Sequence, residues 1–136
     1  MTLYLSDVIK EFEIREFFYY ESYGEQLLVL DVPNPADAGD VVNVMVEFHD
    51  EMISPSAVVL EVEEEFYLTA VAVCNEFNAG SRWYKHFVQE TPEGKLQVCI
   101  AADYIARELM SDRCFDLLMD FCAHIYKVKH YLMTAE

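Results

Sequence analysis

Apolar and polar positions along this chain follow two rhythms, one of period near 3.6 and one of period 2. Val8, Ile9 and Phe12 fall at i, i+1, i+4, one face of a helix. Ser6 and Asp7 precede them, an N-cap and an acid suited to the helix dipole, and predict a short helix ending near residue 13. The aromatic-rich run from Glu16 to Glu21 reads as a strand. Tyr23-Gly24-Glu25 supplies a turn into a second strand, Leu27 to Asp31, so that the pair forms a hairpin. Pro33 to Asp40 is polar and Pro-rich and reads as a loop. Val41 to Phe48 then alternates, with Val42, Val44, Val46 and Phe48 on one face of a third strand.

Helical spacing returns after Ser54-Pro55, an N-cap followed by the first helical position. Val59, Val62, Phe66, Ala70, Val73 and Phe77 form one stripe of a long helix that stops at Asn78-Ala79-Gly80. A competing reading makes Ala57 to Leu60 a short strand and starts the helix at Glu61; the unbroken stripe favours the longer helix. Trp83 to Val88 and Lys95 to Ala102 read as an antiparallel hairpin around the turn Thr91-Pro92-Glu93-Gly94. Ser111-Asp112 opens a last helix whose stripe is Phe115, Leu118, Cys122, Ile125, Val128 and Leu132. The expected order over residues 1–136 is α-β-β-β-α-β-β-α, with a mostly antiparallel five-stranded sheet in a two-layer, single-domain α+β fold.

The long helix has a second apolar side. Opposite its stripe stand Leu68, Val71 and Ala72, and from Phe66 to Cys74 the only polar residue is Thr69. A helix apolar all round must be covered all round. A single sheet covers one side; the first and last helices are one candidate for the second cover. The favoured one is a second subunit, with these three residues as the interface of a homodimer with a two-fold axis and the small Ala72 allowing close approach.

Hydrophobic residues make up 54% of the 136, above the ordinary range of about 45–50%. That excludes a disordered chain despite a net charge of −16. The charge is lopsided: residues 1–65 hold 16 acids and two bases, a net −14, whereas residues 66–136 hold 9 acids and 7 bases, a net −2. Such a surface is repelled by nucleic-acid phosphate and anionic lipid, and its acidic half suits a basic or amphipathic protein partner. Lys127, Lys129 and His130 are too few for a nucleic-acid stripe. No apolar run reaches the ~18 residues of a membrane span and no signal peptide opens the chain, so a cytoplasmic protein is expected.

Catalytic and cofactor signatures are absent from the sequence, and neither an enzyme nor a cofactor is expected. Cys74, Cys99, Cys114 and Cys122 have no CxxC spacing and sit among apolar neighbours, as buried thiols do. Cys114 lies early in the last helix, where the N-terminus favours a thiolate, but its neighbour Phe115 favours burial. His49-Asp50-Glu51 is too short to close around a cation. His124 and His130, six apart, do not share the helical face that zinc ligands need, and Cys122 and His124 point apart. Glu63-Glu64-Glu65 fan around a helix as a solvated face. Arg82, Trp83 and Tyr84 would line the pocket of the alternative class, an enzyme or small-ligand binder with a site between sheet and helices.

At its second helix and after, the chain resembles the YbjN family of bacterial proteins, which are regarded as candidate sensory transduction regulators. The resemblance rests on Ser54-Pro55-Ser56-Ala57-Val58-Val59, on Cys74-Asn75-Glu76-Phe77-Asn78, on Leu96-Gln97-Val98-Cys99-Ile100-Ala101 and on the Ser111 to Leu132 helix. It spans roughly residues 40–135; the first 40 match only in element order. It implies a fold like that of the class I type III secretion chaperones, which are small, acidic, cytoplasmic dimers that bind an unfolded stretch of a partner protein. It carries no catalytic residue. The expected role is protein–protein binding, with the partner unnamed.

Overall fold

A computed structural model describes residues 2–49 and 51–135. The first helix, α1, spans Leu5–Ile14. It starts earlier than expected because Leu3 and Leu5 are both buried. The cap is therefore made at Tyr4, whose backbone N–H donates to the Asp7 carboxylate at 3.0 Å. The helix closes with Phe17 N–H donating to Phe12 O at 2.9 Å while Glu16 takes φ +54°. That six-to-one bond with a left-handed residue is a Schellman ending, filled here by Glu rather than Gly. It consumes Glu16 and Phe17, and the first strand begins later than the aromatic run suggests.

The strands are β1 (Tyr20–Tyr23), β2 (Leu27–Asn34), β3 (Asp37–His49), β4 (Met52–Val62), β5 (Lys85–Glu90), β6 (Leu96–Ala101) and β7 (Tyr104–Ile105). All pair antiparallel in the order β1-β2-β3-β4-β6-β5, with β7 beside the start of β4. The sheet thus has seven strands, not five. The expected loop at Pro33–Asp40 is mostly ladder. β2 and β3 run on to a turn at Pro35-Ala36, where Ala36 N–H donates to Asn34 Oδ1 at 3.0 Å and Gly39 N–H to Asp37 Oδ1 at 3.1 Å. These side-chain bonds do the work of a turn without a glycine in it.

The larger correction is the long helix from Ser54. Met52–Val62 is the strand β4, Glu64–Phe66 is a single 3-10 turn, and the second helix, α2, spans only Tyr67–Ala79. Val59 and Val62 of the expected stripe belong to the strand. The competing reading was nearer, since Ala57 to Leu60 is extended. Pro55 opens no helix: it sits opposite Val46, where β4 changes its other neighbour from β7 to β6. The carbonyl of Pro55 accepts Ala102 N–H at 3.0 Å, on the β6 side. A strand residue's N–H and C=O point the same way, so the missing donor falls at that seam and not in the β3 ladder.

The last helix, α3, spans Ser111–Thr134. Ser111 is its first residue rather than its cap; Met110 O accepts Cys114 N–H instead at 2.9 Å. α1 packs on α3 and α3 crosses β4. Phe12, Leu118, Phe121, Ile125 and Leu132 from the helices and Leu28, Leu30, Val44, Val46, Ile53, Val98 and Ile100 from the strands form one buried core. α2 lies along β5, at the sheet's edge.

Candidate functional site

Strand alternation puts Val42, Val44, Val46 and Phe48 of β3 in the core. The same alternation puts Val41, Asn43, Met45 and Glu47 on the other face. Through the pairs Met45↔Ser56, Val58↔Cys99 and Phe87↔Cys99, that face continues across β4, β6 and β5. It is not polar throughout, as an uncovered face ordinarily is. Val41, Met45, Val58 and Phe87 are 39–45% exposed on it. They line an open cleft of about 540 Å³ together with Asn43, Ser56, Gln89, Cys99 and Lys129.

The cleft exists because the sheet parts. β3 and β4 pair from His49↔Met52 to Val44↔Ala57 and no further, although both strands continue. The start of β3 is drawn toward α3. Tyr126 OH donates to Val32 O at 2.6 Å and accepts Val42 N–H at 2.9 Å, and Lys129 is paired with Asp40. Lys129 holds the Asp40 carboxyl below the usual carboxylate range, with the Asn34 amide helping against partial burial. β4 follows β6 instead, with a register shift between Val58 and Leu60. Lys129 reaches the cleft from beneath.

A second constellation lies where α2, β5 and α3 meet. His86 on β5 is buried and its Nε2 lies 2.6 Å from Nε2 of His124 on α3. Asn78, at the end of α2, bonds to the backbone of His86 as a neighbouring strand would. His86 N–H donates to Asn78 Oδ1 at 2.7 Å and Asn78 Nδ2 donates to His86 O at 2.8 Å. The amide oxygen therefore faces His86, so His86 Nδ1, 2.8 Å from it, carries the ring proton. His86 Nε2 must accept, and His124 Nε2–H donates. Both rings are neutral. Burial lowers the His86 pKa; burial, then the repulsion that two protonated rings would feel and the charge of Lys127, pushes His124 down to about 4. Phe77 stacks on His86 and Tyr84 on His124, at 5.4 and 4.5 Å between ring centres. Asn78 also blocks part of the sheet edge at β5 against pairing with other chains.

The three expected interface residues lie together on α2, which is shorter than expected. Leu68 is 78% exposed, Ala72 is exposed and Val71 is half-buried. Arg82, Trp83 and Tyr84 do not converge on one site: Trp83 is 72% exposed, whereas Tyr84 is packed on His124 and Phe121. His49 and Glu51 go separate ways, to Ser54 at 3.1 Å and to Arg107 at 2.8 Å, while Asp50 lies outside the described residues. Glu63, Glu64 and Glu65 are exposed around the 3-10 turn. Cys114 and Cys122 are buried and burial pushes both thiols up to about 12; Cys99 is pushed to about 11, by burial and then by Cys74. For Cys114, burial outweighs the helix N-terminus. Among the described residues, no cluster of three or more His, Cys, Asp or Glu is placed to hold a metal ion, and no helix is long and apolar enough to cross a membrane.

The sequence reading missed the His86–His124 pair and the open face. The pair has no signal in spacing, since its members are 38 positions apart on different elements. The open face did leave one: Val41 and Met45 are apolar at positions where alternation calls for polar residues.

A one-sided antiparallel sheet with helices packed on its other side places the chain in the α+β class. Neither the family models nor the curated proteins searched contain a match to the sequence. Among solved structures the fold is similar to that of YbjN, titled "a putative transcription regulator from E. coli". The TM-score is 0.69 over 91% of this chain and 87% of that one, at 18% identity. The likeness shows a shared fold.

Proposed function

We propose that this chain is a non-enzymatic, cytoplasmic regulator or chaperone-like protein that works by binding another protein. One observation carries the reading: the uncovered face of the sheet holds Val41, Met45, Val58 and Phe87 in a row that the chain's own helices do not shield. Apolar surface of this kind, framed by acids, fits a protein partner that is apolar and basic. The YbjN fold supports a regulator, since that neighbour is titled as one. Its partner-binding role would be the one known for type III secretion chaperones, whose fold the YbjN resemblance implies. The protein acts as a homodimer through Leu68, Val71 and Ala72 of α2, where the apolar side chains of a surface helix stand uncovered.

Two measurements test this. Proteins retained from native lysate by the wild type are compared with those retained by the double variant Met45→Asp/Val58→Asp. Partners lost from the variant support the reading, and identical capture overturns it. Light scattering gives the mass of the wild type and of Leu68→Glu. The expected result is a dimer that becomes a folded monomer; a monomeric wild type removes the dimer.

A further inference from the structure

Resting on the protein-binding reading, we propose that the gap between β3 and β4 is a slot for one extended segment of the partner, which adds to the sheet as a strand and alternates apolar with basic side chains. The pairing of β3 with β4 ends at Val44↔Ala57. Beyond it, residues 37–43 of β3 and 58–62 of β4 remain extended, and neither run has a strand beside it on the side that faces the other. Two strand edges thus look at each other across an opening floored by Lys129 of α3. Strand addition supplies such edges with backbone hydrogen bonds, while alternate side chains enter pockets and give specificity. The opening is of ligand size: about 540 Å³, within the range of about 300–1,000 Å³ seen for binding pockets.

Two features keep the slot open. Tyr126 and Lys129 tie β3 to α3 through Val42 and Asp40, and the irregularity at Val58/Leu60 commits β4 to β6. The strands therefore cannot close on each other without breaking these bonds. Side chains entering from the open face would meet Val41, Met45, Val58 and Phe87.

Charge selects the occupant. Asp31 lies on the open face opposite Asn43, Asp37 begins β3, Glu61 stands at the far end of β4 and Glu63 just beyond it; all but Asp31 are exposed. The cations at the slot are already engaged, Lys129 with Asp40 and Lys95 with Glu61. A segment carrying Lys or Arg between its apolar residues meets this frame favourably. A second copy of the chain, itself at −16, would bring the same acids against it.

The test uses a fluorescent synthetic peptide of alternating valine and lysine, with amide hydrogen exchange of the protein read with and without it. The expected result is saturable binding at low salt that weakens at least tenfold at high salt. Exchange should slow in residues 39–43 and 58–62, and Val41→Gln/Val58→Gln should weaken binding about tenfold while Ile14→Gln, at an exposed apolar position on α1, leaves it unchanged. Binding with protection confined to other segments overturns the slot and leaves the protein-binding reading standing. No binding at low salt overturns the slot, while the lysate comparison decides the broader reading separately. Self-association that the Val41→Gln/Val58→Gln variant abolishes would assign the slot to a second copy and overturn the peptide.

Discussion

The two faces of the sheet both carry large apolar residues, but they differ in the polar residues mixed among them and in what covers them. On one, Val44, Val46, Ile53, Val98 and Ile100 are at most 1% exposed beneath α1 and α3. On the other, Val41, Met45, Val58 and Phe87 are each at least 39% exposed. Strand alternation separates the two sets, and polar residues such as Asn43, Glu47 and Ser56 fall on the open one. The core is made by the helices, above all by α3, whose Leu118, Phe121, Ile125 and Leu132 are at most 2% exposed. The covered face therefore sets stability, and the open face is available for binding.

The largest expected effect comes from uncovering the covered face. Phe121 is fully buried and touches Tyr84 edge-on at 5.7 Å between ring centres. Phe121→Ala removes its buried surface and leaves a cavity, which typically costs about 3–5 kcal/mol. Urea unfolding followed by circular dichroism measures it. A loss below about 1 kcal/mol would mean that α3 is not what makes this face a core.

How far the sequence could be read divides along the same line. The stripe of α3 and the alternation of β3 were legible, because a covered face writes a strong period into the chain. β4 was not. Val59, Val62 and Phe66 keep a helical step across an element boundary, and Ser54-Pro55 mimics a helix start. What overrides them is tertiary: β4 lies between β3 and β6, paired with β3 as far as Ala57 and with β6 from Ser56 to Val62. β7, two residues long, has too little pattern to be read at all. The histidine pair depends on β5 and α3 meeting, which no local spacing reports.

A second effect lies at the sheet edge, where His86 and His124 extend the covered face. Facing this pair are Asn78 and Phe77 from α2, Tyr84 ahead of β5, and Lys127 on α3; Glu76 of α2 is engaged by Tyr131 OH at 3.2 Å. An unfolded histidine titrates near 6.5, and His124 in the folded chain near 4. Because the folded value is lowered, the unfolded chain binds more protons between these values. Stability is full above pH 6.5 and is lost as pH falls toward 4. Discounted for the half-burial of His124, the loss is about 2 kcal/mol between pH 7 and 4.5. Other carboxylates titrate in the same window, so the comparison is with His124→Gln, which keeps a donor toward His86. The stability difference between the two proteins should shrink by that amount on acidification. A constant difference would show that the pair does not titrate as its burial requires.

Smaller again is the effect of Asn78, which holds α2 to the backbone of β5. Asn78→Ala leaves the N–H and C=O of His86 without these partners. Asn78 itself is exposed, so water can replace part of what is lost, and a cost of about 1 kcal/mol is expected. Hydrogen exchange locates it: the His86 amide should exchange faster while Val98 and Ile100 on β6 keep their protection. Equal loosening of β6 would make Asn78 a support of the whole sheet rather than of its edge.

The smallest expected effect is the most pointed for the comparison. Met45 lies between Val44 and Val46 in sequence, 44% exposed where they are at most 1% exposed. Met45→Gln is nearly equal in size and exchanges an apolar thioether for an amide that water can solvate. If the open face contributes nothing to folding, the change in stability should stay within about 0.5 kcal/mol, as for ordinary surface positions. Val46→Gln, one residue on, buries the same amide with no partner and should cost several times more. The ratio of the two, measured in one denaturant series, is the quantity of interest. A Met45→Gln loss approaching that of Val46→Gln would mean that something covers the open face in solution. If that loss grew with protein concentration, the cover would be a second subunit, because only an associating cover depends on concentration. A small, concentration-independent change would leave the face open, with Val41, Met45, Val58 and Phe87 free to receive a partner.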